Sequence, residues 1–244
     1  MSRLRVFLIV AAILCSAAPA AAAPECNRLE HAGNAYSVCI VDLTASDLRL
    51  FWQDAGGTPL RTIRSVADQL PAGERLAFAM NAGMFDGDYA PVGLFIQDGV
   101  ELVALNTNEG PGNFHLLPNG VFYWNGDTAG VMETNRFVAE RPDAMFATQS
   151  GPMLLIDGEV HPRFLPDSDS RKLRNGVGIV DEHTVAFVLT NNAVTFYEFA
   201  LMFRDALGVR NALYLDGSVS AMFAPALNRQ GAGWFGPILG VVER

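Results

Sequence analysis

The chain has 244 residues, of which 50% are hydrophobic, and its formal net charge is -9 at pH 7. This length is sufficient for one domain with a sizeable core. The acidic balance argues against nucleic acid and anionic membrane surfaces as partners, because like charges repel.

The first segment, residues 1–22, is predicted to be an export signal. Two arginines precede the apolar run Val6–Leu14, which is too short to span a bilayer comfortably, and small residues lead to a cleavage site after Ala22. Cleavage removes two arginines and no acid, so the formal net charge changes from -9 to -11 in the mature chain, residues 23–244. We expect a periplasmic or secreted protein with no stable membrane insertion after cleavage; an uncleaved N-terminal anchor is the alternative.

The number and position of the cysteines are consistent with export. Cys15 leaves with the signal, so Cys26 and Cys39 remain as an even pair near the mature N-terminus. We predict a disulfide between them, since exported proteins keep such pairs oxidised. A redox or metal pair is the alternative, although the spacing is wide and no other ligand lies nearby.

Short apolar runs separated by turn residues predict mostly strands. Arg61–Leu70 is predicted to be a short helix. A second helix is predicted to begin at Thr195, whose hydroxyl forms a capping box with Glu198, and to end at Gly208. The resulting fold class is α+β: a strand-rich single domain with a mixed sheet and a few packed helices. Strands are predicted at Val38–Leu43, Leu48–Trp52, Leu76–Met80, Val92–Gln97, Phe122–Trp124, Met153–Ile156, Gly176–Val180, Val185–Thr190 and Ala212–Leu215, with hairpin turns at Asp98-Gly99, Asn119-Gly120 and Asp157-Gly158.

The end of the Ala212–Leu215 strand is the strongest candidate for a site. Asp216 follows the apolar strand directly, and Gly217, Ser218 and Ser220 come next. This order places a carboxylate at the rim of a sheet, beside hydroxyls and backbone N–H groups. Such a group suits chemistry on a sugar or phosphate ester. An ordinary Asp-Gly hairpin turn is the alternative.

Two further strand boundaries carry similar residues. Asn81 offers a donor and an acceptor, and Gly83 permits the close approach of a ligand. The backbone N–H groups of Ser150 and Gly151 are candidates for binding an anion. Plain turns are the alternative at both places.

A polar loop and a basic segment complete the candidates. In the loop at 106–114, Asn113 is expected to bond sugar hydroxyls and an exposed Phe114 to stack on a sugar ring. Residues 170–175 form the one dense basic cluster after the signal. Within it Arg174 is preferred to Arg171 as the phosphate ligand, because it stands directly before an apolar strand and grips phosphate bidentately. A solvated loop is the alternative for each segment.

Several chemistries lack their sequence signatures. The histidines His31, His115, His161 and His183 are scattered and match no zinc-binding motif, so each is expected to be structural. No Walker A loop, dinucleotide fingerprint or G-x-S-x-G elbow is found.

Six short motifs, taken in order, resemble the phosphodiester glycosidase family, to which the lysosomal uncovering enzyme belongs, and in particular its short exported bacterial branch. The motifs are Met80-Asn-Ala-Gly-Met-Phe85, Gly112-Asn-Phe114, Pro118-Asn-Gly-Val-Phe122, Ser150-Gly-Pro-Met-Leu154, Arg174-Asn-Gly-Val-Gly178 and Leu215-Asp-Gly-Ser218. Many relatives have glycine where this chain has Ala82 and Val219, and phenylalanine where it has Met84. These side chains are expected to narrow the site.

The resemblance implies hydrolysis of a sugar-1-phosphodiester such as an N-acetylglucosamine-1-phosphodiester, with no cofactor or obligatory metal. It implies a catalytic role for Asp216, Arg174 and Asn81. A second catalytic carboxylate is open, with Asp86 and Glu109 as candidates, as is the choice between C–O and P–O cleavage. Substrate contacts are expected from Gly83, Asn113, Phe114, Ser150, Gly151, Asn175, Gly217, Ser218 and Ser220. The alternatives are a non-catalytic periplasmic protein that binds glycan or peptidoglycan and a metal-assisted phosphodiesterase.

Overall fold

The computed structural model describes residues 22–217 and 219–244, so Ser218 and all but the last residue of the predicted export signal lie outside the described residues. Within those ranges, no helix has the length and apolar character needed to cross a membrane.

Three antiparallel sheets form the framework of the described structure. The first sheet has seven strands, in the spatial order β1 (Glu25–His31), β2 (Asn34–Asp42), β13 (Thr184–Thr190), β12 (Asn175–Asp181), β14 (Asn211–Asp216), β10 (Met153–Ile156) and β11 (Glu159–Val160). The second has five, in the order β16 (Arg229–Gln230), β15 (Met222–Ala224), β4 (Arg75–Asn81), β17 (Ile238–Glu243) and β3 (Asp47–Phe51). The third has five, in the order β6 (Val100–Val103), β5 (Phe95–Gln97), β9 (Phe146–Ser150), β7 (Gly120–Asn125) and β8 (Thr128–Glu133).

The prediction of a mixed sheet is wrong, whereas a strand-rich α+β chain with few helices is confirmed. Every strand pair among the described residues is antiparallel. The helical connection from β13 to β14 does join two strands of the same direction, as a crossover requires. However, β12 lies between these strands and pairs antiparallel with both, so no parallel pair forms.

The helices are short and begin at side-chain caps. Helix α1 (Ile63–Gln69) lies within the predicted range, and α3 (Phe196–Leu201) begins with the predicted Thr195–Glu198 capping box and continues as a π-helical segment, Met202–Ala206. Helix α2 (Thr134–Glu140) was not predicted; its cap is the Glu133 carboxylate, a residue type that gives little sequence signal at this position.

Two predicted hairpin turns are confirmed and one is wrong. Asp98-Gly99 joins β5 to β6 and Asp157-Gly158 joins β10 to β11. Asn119 is buried instead, and its amide donates to the Phe114 carbonyl oxygen at 2.9 Å. The turn that follows β7 lies at Gly126-Asp127, because Asn125 pairs with Thr128.

The predicted disulfide is confirmed. Cys26 and Cys39 face each other across the antiparallel pair β1–β2, and their sulfurs are bonded. The bond ties β1, at the edge of the first sheet, to β2.

Aromatic side chains form the central core where the three sheets meet. The Phe187 ring lies 5.4 Å from that of Phe78 in the second sheet and 5.8 Å from that of Phe122 in the third. On the opposite face of the first sheet, α3 packs close to β12. A Cβ at Gly176 would lie 3.2 Å from a Phe199 ring atom, so a glycine lets the helix approach. Gly176 pairs with Tyr214 of β14, so this packing lies beside the strand end that carries Asp216.

Candidate active site

The backbone around Asp216 is held by polar side chains that are buried or part-buried. The Asp216 N–H donates to Asn175 Oδ1 at 2.8 Å, and Ser220 Oγ donates to the Asp216 carbonyl oxygen at 2.8 Å. One residue earlier, the Leu215 carbonyl oxygen accepts from Ser150 Oγ at 2.6 Å. The carboxylate therefore projects from a strand end that is fixed on both sides.

A pair of buried asparagines links this strand end to the second sheet. Asn175 Nδ2 donates to the Asn81 carbonyl oxygen at 2.9 Å and to Asn81 Oδ1 at 3.0 Å, and the Ala221 N–H donates to the same Oδ1 at 2.9 Å. Asn81 is 1% exposed, and its buried Nδ2 has no hydrogen-bond partner among the described residues. Both side chains therefore hold strand ends together, and the predicted catalytic role of Asn81 and the predicted substrate contact of Asn175 stay predictions.

Two clefts adjoin Asp216 and share Asn113 as a wall. We call them the acidic cleft, of about 380 Å³, and the lysine cleft, of about 340 Å³. Volumes of this size are typical of small-molecule sites. The acidic cleft is lined by Met84, Phe85, Val92, Pro111, Gly112, Asn113, Phe114, His115, Asp216 and Val219, and the lysine cleft by Asn113, Lys172, Leu173, Tyr214, Gly217 and Ser220.

The three cations of the basic segment lie in different environments. Arg171 forms an ion pair with Glu198 at 3.0 Å. Lys172 is exposed, lines the lysine cleft and forms no ion pair within the described part of the chain. Lys172, which sequence reasoning passed over, is therefore the cation that a bound anion can reach.

Arg174, which is predicted to be the phosphate ligand, is buried. It is 1% exposed; its Nε donates to the Val194 carbonyl oxygen and its Nη2 to that of Ser170, both at 2.9 Å. Its guanidinium carbon lies 3.6 Å from the centroid of the Phe196 ring. Burial lowers the pKa of Arg174, although arginine remains charged at physiological pH. Its contacts are those of a structural cation behind the cleft.

Tyr214 is a functional candidate that sequence reasoning missed. Burial raises the pKa of its hydroxyl, the Arg174 charge opposes this shift and the Asp216 charge adds to it, so the phenol stays protonated. Because side chains alternate along a strand, Tyr214 and Asp216 share a side of β14, which was the available signal. A Cβ at Gly217 would collide with the Tyr214 hydroxyl, so glycine is required there.

His115 also lines the acidic cleft, although sequence reasoning treated it as structural. Its Nδ1–H donates to the Asn108 carbonyl oxygen at 2.7 Å, which leaves Nε2 as the ring nitrogen able to contact a ligand. Neighbouring Phe114 reaches the cleft but is only 4% exposed. The prediction of an exposed Phe114 is therefore wrong, because its ring packs beneath the loop.

Other predicted contacts are buried or already bonded. Ser150, Gly151 and Gly83 are buried and line neither cleft. A Cβ at Gly83 would lie 2.6 Å from the Gln149 carbonyl oxygen, so this glycine allows two backbones to pack closely. The Gly217 N–H donates to Asp216 Oδ1 and is not directed at a ligand, although Gly217 itself lines the lysine cleft.

Asp216 is the only acidic side chain lining the two clefts within the described residues. Asp86 Oδ1 instead accepts the N–H groups of Asp88 and Ala90, and Glu109 is exposed in its loop. The same ranges contain no group of three or more His, Cys, Asp or Glu side chains placed to hold a metal ion.

The substitutions expected to narrow the site fall in two places. Met84 and Val219 line the acidic cleft as predicted. Ala82 is buried and lines neither cleft.

A model of the phosphodiester glycosidase family matches residues 74–237 of this chain. The chain belongs to the phosphodiester glycosidase family. The match covers β4, the asparagine pair, both clefts and Asp216. Among related proteins, the Uncharacterized protein YigE of Escherichia coli (strain K12) is 40% identical over 176 residues, which are 72% of this chain and 69% of YigE.

Solved structures share the fold of this phosphodiester glycosidase family member. The catalytic domain of zebrafish N-acetylglucosamine-1-phosphodiester alpha-N-acetylglucosaminidase, auto-inhibited by its pro-peptide, superposes with a TM-score of 0.63 at 15% identity, over 94% of this chain and 85% of that one. A putative exported protein of Burkholderia pseudomallei K96243 superposes with a TM-score of 0.58 at 12% identity, over 85% of this chain and 74% of that one. At these identities the likeness shows the fold alone.

Proposed function

We propose that this protein is an exported hydrolase that cleaves sugar-1-phosphodiesters and releases the free sugar and a phosphomonoester. The observation that carries the proposal is the position of Asp216 beside two clefts, one with apolar and aromatic walls and the other with Lys172. The family membership supports the same reaction class, and the zebrafish enzyme's name gives N-acetylglucosamine-1-phosphodiesters as a first substrate to test.

The two clefts suit the two parts of such a substrate. The phosphate carries a negative charge and fits the lysine cleft, where Lys172 and Asn113 supply donors. The sugar then lies in the acidic cleft, whose apolar walls suit the C–H face of a ring. This binding mode places the anomeric carbon beside Asp216.

A single catalytic carboxylate is sufficient for this chemistry. Glycosidases that expel an alcohol need a general acid as well as a base or nucleophile. A phosphomonoester, whose second pKa is about 6, leaves without prior protonation. In the proposed step Asp216 takes a proton from water, the water oxygen bonds to the anomeric carbon, and the C–O bond to phosphate breaks. Lys172 stabilises the additional negative charge on the departing phosphate.

The test is hydrolysis of UDP-N-acetylglucosamine and of a chromogenic N-acetylglucosamine-1-phosphodiester by the mature chain in ¹⁸O-labelled water. We expect free sugar that carries the label, because the proposal breaks the C–O bond. Label in the phosphate would show P–O cleavage and overturn the role given to Asp216. Loss of turnover with a chelator would indicate the metal-assisted alternative.

Matched variants separate catalysis from binding. Asp216→Asn should lower kcat by about 10²–10⁴-fold while substrate still binds. The control is Asp167→Asn, because Asp167 is an exposed acid that lines neither cleft. A wild type that binds these compounds without turnover would support the glycan-binding alternative, and full turnover by Asp216→Asn would remove the catalytic assignment.

A further inference from the structure

Three aromatic side chains form a continuous surface that leads out of the acidic cleft; we call Phe85, Tyr89 and Trp234 the aromatic ledge. The Phe85 and Tyr89 rings stack with centroids 5.6 Å apart and planes 13° apart, and the Trp234 ring follows 6.3 Å from Tyr89. Phe85 is also a wall of the cleft that contains Asp216. The ledge therefore begins at the candidate site and continues to the surface, where Trp234 is 62% exposed.

The ledge is held in place by its surroundings. Trp52 Nε1 donates to the Tyr89 carbonyl oxygen at 2.9 Å, and the Arg61 guanidinium carbon lies 4.7 Å from the centroid of the Tyr89 ring. Tyr89 and Arg61 both have left-handed backbone conformations, with φ of 65° and 64°. Such conformations are unfavourable for residues other than glycine, and they persist where the surrounding contacts impose them.

The ledge also has a polar rim. Asp86 and Asp88 are exposed in the turn that carries Tyr89, and Arg61 is exposed above the Tyr89 ring. The exposed Trp234 ring beside charged hydrogen-bonding groups matches the two sides of a pyranose ring, which offers C–H groups on its faces and hydroxyls around its edge.

We propose that the aromatic ledge is a glycan-binding subsite, in which one sugar ring stacks on the exposed face of Trp234 and the rest of the glycan passes along the edges of Tyr89 and Phe85 to the acidic cleft. The occupant is part of the substrate rather than a separate partner, because the ledge shares Phe85 with the acidic cleft. This inference rests on the proposed function for its link to turnover, and it implies that the natural substrate is an oligosaccharide or polysaccharide rather than one sugar.

The first test measures binding without catalysis. Chitohexaose, cellohexaose and maltohexaose, which lack phosphate, are titrated into the mature protein by isothermal calorimetry. We expect at least one to bind, Trp234→Ala to weaken that binding by about tenfold or more, and Trp234→Phe to retain most of it because the aromatic face remains. Leu165→Ala is the control, since Leu165 is 63% exposed and lines neither cleft. Binding of none of the three sugars, or equal affinity in Trp234→Ala, would overturn the subsite.

The second test uses turnover and separates the two proposals. The ratio of kcat/KM for a phosphodiester of a long glycan to that of a single sugar should fall by about tenfold in Trp234→Ala, mainly through KM. Saccharide binding that depends on Trp234, in a protein without phosphodiester hydrolysis, would leave the subsite intact and refute the proposed function. Hydrolysis of the phosphodiesters with a ratio that Trp234→Ala does not change would support the proposed function and refute the subsite.

Discussion

At the scale of single residues, the three cations of the basic segment at 170–175 make different contacts. Arg171 forms a partly exposed ion pair, which contributes little to stability. Lys172 is exposed and lines a cleft, and Arg174 is buried against Phe196. Sequence reasoning preferred Arg174 because it precedes an apolar strand, yet that same position draws its side chain into the interior.

Arg174→Lys should therefore lower the free energy of unfolding by about 3 kcal/mol, because one ammonium cannot replace two guanidinium hydrogen bonds to buried carbonyls. The measurement is the urea midpoint and slope followed by circular dichroism. Activity should fall as well, because the loss of the guanidinium is expected to shift Tyr214, which lines the lysine cleft.

Lys172→Ala is the matched comparison for this prediction. An exposed lysine without an ion pair in the described residues should change stability by no more than about 0.5 kcal/mol. Its kcat/KM on a phosphodiester should still fall strongly. An Arg174→Lys variant as stable as the wild type but inactive would restore Arg174 as the phosphate ligand.

At the scale of secondary-structure elements, the site depends on where strands of different sheets end. β4 of the second sheet ends at Asn81, β12 of the first begins at Asn175, and Asn175 lies opposite Asp216 in β14. The two asparagine side chains join these ends with buried hydrogen bonds. Asp216 is therefore placed by two sheets at once.

A double-mutant cycle of Asn81→Ala and Asn175→Ala tests this link. Each single change leaves buried polar groups unpaired and should cost about 1–3 kcal/mol. The double variant should lose less than the sum of the two, with a coupling of about 1 kcal/mol or more from urea unfolding. Additive losses would mean that the two residues act independently and that the proposed link does not position Asp216.

The sequence predicted individual elements better than their pairing. Apolar runs and the Thr195–Glu198 capping box are local signals, and both led to correct assignments. Hairpin pairs such as β12 and β13 have a local signal, but the pairing of β12 with the distant β14 is set by tertiary contacts and had none. The prediction of a turn at Asn119-Gly120 is wrong for a related reason. Gly120 pairs with Ser150 of a strand that is distant in the sequence, and Asn119 is buried beside this pair.

At the scale of the whole molecule, the motifs correctly indicated which strand ends carry polar residues but not which of these face solvent. Asp216, Asn113, Gly217 and Ser220 line the clefts as expected. Lys172, Tyr214 and His115 reach the same space only through the packing of β14, the basic segment and the loop at 106–114. The division between cleft walls and buried supports is a property of the packed sheets, which single motifs do not encode.

Packing also makes the stability of the molecule depend on pH through His161. The ring is 1% exposed and stacks on Phe164 with centroids 4.6 Å apart, beside the carbonyl groups of residues 116–118 that follow the acidic-cleft loop. Burial lowers the pKa of His161 from 6.5 to about 4. Between these values the unfolded chain binds a proton that the folded protein does not, so stability falls as the pH decreases from 6.5 to 4.

His161→Asn should remove this dependence, because asparagine does not titrate. The asparagine oxygen can still accept the hydrogen bond that the Arg163 N–H now donates to His161 Nδ1 at 3.2 Å. We expect the stability of the wild type relative to the variant to decrease by up to roughly 3 kcal/mol as the pH falls through this window. Urea unfolding of both proteins at a series of pH values measures it, and acids common to both cancel in the difference. If the difference in stability between the two proteins does not vary with pH, His161 binds a proton as readily in the folded protein as in the unfolded chain. The packing around residues 116–118 then accommodates its charge.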